Sequence, residues 1–197
     1  MYSMPQFKET RPGLLRALVA DHPLGTLVTH GAEGLAAAHI PFELALPEPG
    51  APFGVLRAHV ARANPVWRHE GDTLVVFQGA SAYVSPDLYE EKPVSGKVVP
   101  TWNYMAVHAH GPLRAIEDPA WIVALLGRLT ATHETSRAAP WAVADAPPEF
   151  IAQLLGAIVG IEIPVQRMQG TWKLSQNRSL NDQHAMAADT GLPMIRI

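Results

Sequence analysis

The 197-residue sequence contains no cysteine, which excludes disulfides, thiolate metal sites and cysteine catalysis. It has no stretch approaching the ~20 apolar residues of a membrane helix. The opening MYSMPQFKETRPG has no long apolar run behind a basic start, so no signal peptide is expected. Charge is also sparse. Asp, Glu, Lys and Arg make up 17% of residues, the formal net charge is −3, and no Lys/Arg run is dense. Tight binding to nucleic acid or anionic membrane needs clustered positive charge, so neither is expected beyond a small local patch. No helix-turn-helix signature or basic recognition helix stands out, which leaves direct DNA binding weakly supported. A Gly-rich turn after the first strand is missing, and with it a Rossmann-type dinucleotide site. Gly-x-Ser-x-Gly is missing too, and no Ser-His-Asp arrangement stands out. The expectation is a soluble, cytoplasmic protein.

What is present is a hydrophobic content of 48%, enough for one core, and a length suited to a single domain over residues 1–197. Residues 10–21 read as a helix with Thr10 as cap, Pro12 in the first turn and an apolar stripe of Leu14, Leu15, Leu18 and Val19. Residues 24–30 and 35–44 read as strands, joined by Gly31-Ala32-Glu33-Gly34 as a hairpin. Further strands are expected at 53–60, 73–78, 82–85, 99–109, 113–117 and 161–174. Asp118-Pro119 opens a helix to about 134, and Pro147-Pro148 one to about 159, with Phe150, Ile151, Leu154, Leu155 and Ile158 as its buried face. A tail over 175–197 holds a short helix near 179–189 that Gly191 stops. Many short strands followed by a few helices favour a mainly β protein, a small antiparallel barrel with helices outside.

Residues 98–111, VVPTWNYMAVHAHG, depart from plain strand alternation. An aromatic, an amide and a phenol (Trp102, Asn103, Tyr104) stand together behind Pro100-Thr101. An aromatic plane beside hydrogen-bonding groups suits a flat heterocycle that is stacked and read at its edge. HVARANPVWR (59–68) and WKLSQNR (172–178) share this character. Together the three point to a planar, phosphorylated cofactor. His108 and His110 fall on one strand face, but no Asp, Glu or Cys nearby completes a ligand set, so no metal is expected.

These segments resemble the PaiB-type family of FMN-binding negative transcriptional regulators, a branch of the FMN-binding split-barrel proteins. The matching stretches are MYSMPQF, LVTHGAEGLAAAHIPFEL, HVARANPVWR, VFQGASAYVSPDLY, VPTWNYMAVHAHG and KLSQNR, in the family's order from Met1 to Arg178. The resemblance implies a split β-barrel, FMN as cofactor, and a homodimer with its FMN sites at the interface. Asp87-Leu88-Tyr89 and the polar loop 90–97 depart from the family pattern and put the rim of the site in doubt.

Within that frame Arg62 is the first choice for the FMN phosphate, because a guanidinium fork matches phosphate oxygens and stays charged. The competing reading is a surface arginine paired with a carboxylate. His59 and Asn64 add donors nearby, although Asn64 also suits a helix cap. The resemblance places the flavin ring against the strand carrying His39, whose other reading is a satisfied core histidine. Thr101, Trp102 and Asn103 form the strongest cluster, with Trp102 walling the ring and Thr101 and Asn103 bonding polar atoms. Core packing is the usual role of a buried Trp. Lys173, Ser175 and Gln176 would close the site from a partner subunit, Lys173 contacting phosphate or a flavin carbonyl. Alternatively Ser175 caps a helix and Lys173 is solvated. No residue is nominated as catalytic. The functional expectation is an FMN-binding dimeric regulator. The alternatives are a flavin-dependent oxidoreductase, such as an NAD(P)H:flavin or small-molecule reductase, and a haem- or flavin-binding sensor.

Overall fold

The computed structural model describes residues 1–195, so the last two residues of the expected tail lie outside the described residues. The first strands in chain order are β1 (Lys8–Glu9), β2 (Leu24–Gly31), β3 (Gly34–Pro41), β4 (Glu43–Leu44) and β5 (Val55–Ala61). They are followed by β6 (Asp72–Val84), β7 (Thr101–Pro112), β8 (Arg114–Ile116), β9 (Ile158–Pro164) and β10 (Arg167–Lys173). The helices are α1 (Pro12–Asp21), α2 (Glu91–Ser95), α3 (Pro119–Glu134), α4 (Pro148–Gly156) and α5 (Leu180–Thr190). The chain forms two compact units, each assembled from separated segments. The first takes Met1–His22, Phe77–His108 and the chain from Gln169 onward, and the second takes Pro23–Val76 and Ala109–Met168.

In the first unit the strands are ordered β1-β10-β7-β6, and β1 runs antiparallel to β10 with Lys8 opposite Thr171. Helix α1 buries Leu15, Leu18 and Val19, while Leu14 is part-exposed. Thr10 does not cap it. The flanking residue is Arg11, and the Glu9 carboxylate accepts the amide N–H groups of Thr10 and Arg11 at 2.9 and 2.8 Å. Gly170 is required where α1 meets β10, since a Cβ there would stand 2.5 Å from Leu15 Cδ2 and 2.4 Å from the Trp172 ring. Helix α5 starts as expected: Ser179 Oγ accepts the Asp182 N–H at 3.1 Å. It ends at Gly191, whose φ of 69° is left-handed. Met186 on α5 packs with Val84 and Tyr89 in a small core edged by Leu88 and Val98.

In the second unit β6, β2 and β3 are neighbours, and the β2–β3 hairpin closes Gly31 opposite Gly34. A four-stranded antiparallel sheet is ordered β4-β5-β9-β8. Across it one row reads Glu43, Arg57, Glu162, Arg114, alternating in charge from strand to strand. Arg57 Nε donates to Glu162 at 2.8 Å, and Arg128 of α3 donates to both Glu43 oxygens at 2.7 and 2.9 Å. Opposite charges facing each other favour this register over a slipped one. Leu56, Ala58, Ile161 and Ile163 are fully buried, and Ile122 and Leu125 of α3 are buried as well.

Other expectations change as well. The two strands expected at 73–78 and 82–85 are one strand, β6. The strand at 35–44 is broken at Phe42, whose amide bonds the Pro23 carbonyl at 2.9 Å. The single strand at 161–174 is two strands, β9 and β10, separated at Val165 and Gln166, whose amides bond the Gly54 and His110 carbonyls at 2.9 Å each. Helix α4 ends at Gly156, Ile158 belongs to β9, and no residue of α4 is buried, with Phe150 and Leu154 both exposed.

Candidate functional site

Strand alternation on β7 sends Thr101 and Asn103 to one face and Trp102 to the other. The Thr101–Asn103 face meets the end of β10 and lines a cavity of about 230 Å³ within the first unit. Asn103 is buried and exchanges two hydrogen bonds with Ser175, Nδ2 to Oγ at 2.9 Å and Oγ to Oδ1 at 3.1 Å. Ser175 has a φ of 62°, a left-handed conformation unusual for a residue with a side chain. The Asn103 pairing holds that hydroxyl in place, and strained residues of this kind gather at binding sites. Lys173 donates to Thr101 Oγ1 and, at 2.7 Å, to the Trp102 carbonyl. Burial pushes its amine below the ordinary lysine value. The Gln176 side chain accepts from the Leu174 amide at 2.8 Å and donates to the Trp172 carbonyl at 2.6 Å, fixing the loop behind the site.

Four expected residues therefore come together here: Thr101, Asn103, Lys173 and Ser175. Gln176 supports them without lining the cavity, and Trp102 does not line it either. The Trp102 indole is 57% exposed and meets Tyr83 edge-on, ring centroids 6.2 Å apart. Phe7, Tyr89, Asn177 and Arg178 also line the cavity and escaped the sequence reading. Asn177 and Arg178 stood within the quoted KLSQNR, so the signal was present; Phe7 and Tyr89 look like ordinary core aromatics in sequence. No carboxylate is among the lining residues.

The other expected residues lie in the second unit. Arg62 is tied down: Nη1 meets Glu117 at 2.6 Å, and Nε and Nη2 donate to the Gly156 and Ile158 carbonyls at 3.1 and 3.3 Å. Its own carbonyl accepts from Trp67 Nε1 at 3.0 Å. Asn64 caps the 3₁₀ turn Pro65–Arg68, its side chain accepting the Val66 amide at 3.0 Å. Asn64 also lines a second cavity, of about 310 Å³, with the alanines of β3. His39 is exposed on β3 and pairs through Nδ1 with Thr26 Oγ1 at 3.0 Å. His59 is half-buried with no partner at Nδ1, and burial holds its pKa below 6.5. Among the described residues no group of three or more His, Asp or Glu could hold a metal. Among them, also, no helix is long and apolar enough to cross a membrane.

The first unit's cavity offers apolar walls, neutral donors and two cations, a set that fits one end of a phosphorylated flavin. Residues 1–167 match a family described as “Putative FMN-binding domain”. An uncharacterised protein of Emericella nidulans is 35% identical, over 93% of this chain and 87% of its own. The protease synthase and sporulation protein PAI 2 of Bacillus subtilis is 33% identical over 92% of this chain and 85% of its own. Among solved structures, the FAD and haem binding protein from Mycobacterium smegmatis has a TM-score of 0.63 at 15% identity, covering 90% of this chain and 78% of that one. A flavocytochrome from Azotobacter vinelandii has a TM-score of 0.62 at 11% identity, covering 87% and 72%. At these identities the structural likeness shows the fold, which is mainly β with added helices and of the split-barrel type.

Proposed function

The chain belongs to the PaiB-type family of FMN-binding proteins and its cofactor is FMN; from that premise we propose that it acts as a cytoplasmic homodimer whose regulatory output follows the state of the flavin. The observation that carries this reading is the first unit's cavity, where Thr101, Asn103, Lys173 and Ser175 converge beside apolar walls with no carboxylate among them. Its volume of about 230 Å³ is below the roughly 300–1,000 Å³ of pockets that enclose a drug-sized ligand. The cavity therefore takes part of the nucleotide, and a second copy covers the remainder. Redox chemistry is supplied by FMN itself, and the protein's share is binding, orientation and electrostatics.

The name of the Bacillus relative, a protease synthase and sporulation protein, ties that protein to sporulation and supports a regulatory output here. A net charge of −3 argues against strong autonomous DNA binding, so regulation would pass through a partner or through flavin redox state. The absorption spectrum of the purified protein tests the first part: bands near ~370 and ~450 nm are those of oxidised flavin. Light scattering across a dilution series tests the second, and a stable monomer retaining FMN would end the dimer reading. Steady turnover of NADH or NADPH would instead identify a flavin reductase.

A further inference from the structure

Four cations stand within the motifs that suggest a phosphorylated cofactor, and they differ in place and in what their donors already do. Arg68 lies over the Trp67 ring at 4.8 Å and lines the second unit's cavity, not the first unit's. Arg62 spends its guanidinium on Glu117 and two backbone carbonyls. The Lys173 amine is engaged by the Thr101 hydroxyl and the Trp102 carbonyl. The Arg178 guanidinium has neither kind of partner among the described residues. Among those residues its specific contact is with a ring face: the guanidinium carbon lies 4.4 Å from the centroid of Tyr89. Tyr89 is itself buried in the core with Val84 and Met186, so the platform is rigid. Stacking on an aromatic face orients the guanidinium plane and leaves its in-plane N–H groups free. Arg178 lines the same cavity as Thr101, Asn103 and Ser175. Its backbone is anchored at both ends, the N–H to the Ser175 carbonyl at 2.9 Å and the carbonyl to Gln183 Nε2 at 2.9 Å.

We infer that Arg178, held flat on Tyr89, is the residue that reads the phosphate of FMN, and that it makes the site selective for a phosphomonoester over the uncharged flavin. This rests on the reading that FMN enters the first unit's cavity. An oriented fork with free donors and no competing carboxylate meets two phosphate oxygens at once. Lys173, bonded to the Thr101 hydroxyl, adds charge without adding direction. The sequence offers no separate clue to this assignment, because it depends on which of the two cations lining the first unit's cavity, Lys173 and Arg178, the fold has left without a hydrogen-bonding partner.

The test is titration of the apoprotein with FMN and with riboflavin, following flavin fluorescence. Arg178→Ala should weaken FMN by about 10- to 150-fold, the equivalent of about 1.5–3 kcal/mol for a charge-assisted hydrogen bond. Riboflavin should change by less than about twofold. Arg178→Lys keeps the charge without the planar fork and should recover only part of the loss. Equal loss for both ligands, or no loss for FMN, overturns the assignment. A second variant, Val99→Glu, separates this from failure of the underlying reading. Val99 is 67% exposed and lines the cavity, so a carboxylate there leaves the fold intact while repelling a phosphate. If Val99→Glu weakens FMN and Arg178→Ala does not, Arg178 is wrong and the cavity stands. If neither variant alters FMN binding, the flavin lies elsewhere and both readings fall.

Discussion

Burial and pairing of single residues set much of this protein's chemistry. The Glu9 carboxyl is held below the usual glutamate value of 4.5, first by hydrogen bonds from the Arg11 side chain, with burial working in the opposite direction. A carboxylate depressed in the folded state contributes stability above its unfolded value and loses it as pH falls through the folded one. Glu9→Gln should therefore be less stable than the parent at neutral pH. It should also lose less on acidification from about pH 5 to about pH 3, measured by urea melts at each pH. Arg62→Ala belongs at the same scale. Because that guanidinium serves Glu117 and two carbonyls, its loss should lower stability by about 0.5–1.5 kcal/mol. The ratio of FMN to riboflavin affinity should stay as it was. A selective fall in FMN affinity would return the phosphate to Arg62.

At the scale of elements, the sequence made the β2–β3 hairpin, α1, α3 and α5 legible because each carries local punctuation. The hairpin has paired glycines, α1 and α3 have first-turn prolines, and α5 has Ser179 and Gly191 at its two ends. Ser179→Ala should cost about 0.5–2 kcal/mol, the usual value of an N-cap, read by thermal melts. The misreadings arose where tertiary partners decide. The break at Phe42 follows from an amide turned to Pro23, and the β9–β10 separation from amides turned to Gly54 and His110. Neither partner is visible in the local sequence. Helix α4 was misread for another reason, since its apolar periodicity is real and yet the fold leaves that side open. Phe150→Ser should consequently change monomer stability by less than about 0.5 kcal/mol. The candidate site shows the same division. Its residue types could be read from TWNY and KLSQNR, and pairing with a carboxylate stood among the readings of Arg62, but the Trp102 orientation, the choice of Glu117 as that partner and the Arg178 stacking could not.

For the whole molecule, the charge balance yields a prediction about DNA. With scattered cations and a net charge of −3, few phosphates can be neutralised at once. Affinity for a duplex should then be weak and should fall steeply as salt rises to about 150 mM, by fluorescence anisotropy on promoter and scrambled DNA. Nanomolar, sequence-selective binding at that salt would reveal a DNA surface that the charge argument misses. The interleaved composition of the two units has a consequence for synthesis on the ribosome. Strand β1 emerges long before its partner β10, and the second unit is completed only by residues up to Met168. Early segments must wait for late ones, which raises the cost of loop closure and slows folding. Strand β1 stays without that partner while all the residues between them are made, a period in which exposed strand edges invite aggregation or chaperone capture. A premature stop just before Gln169 therefore deprives the first unit of β10, Trp172, Ser175 and α5 together.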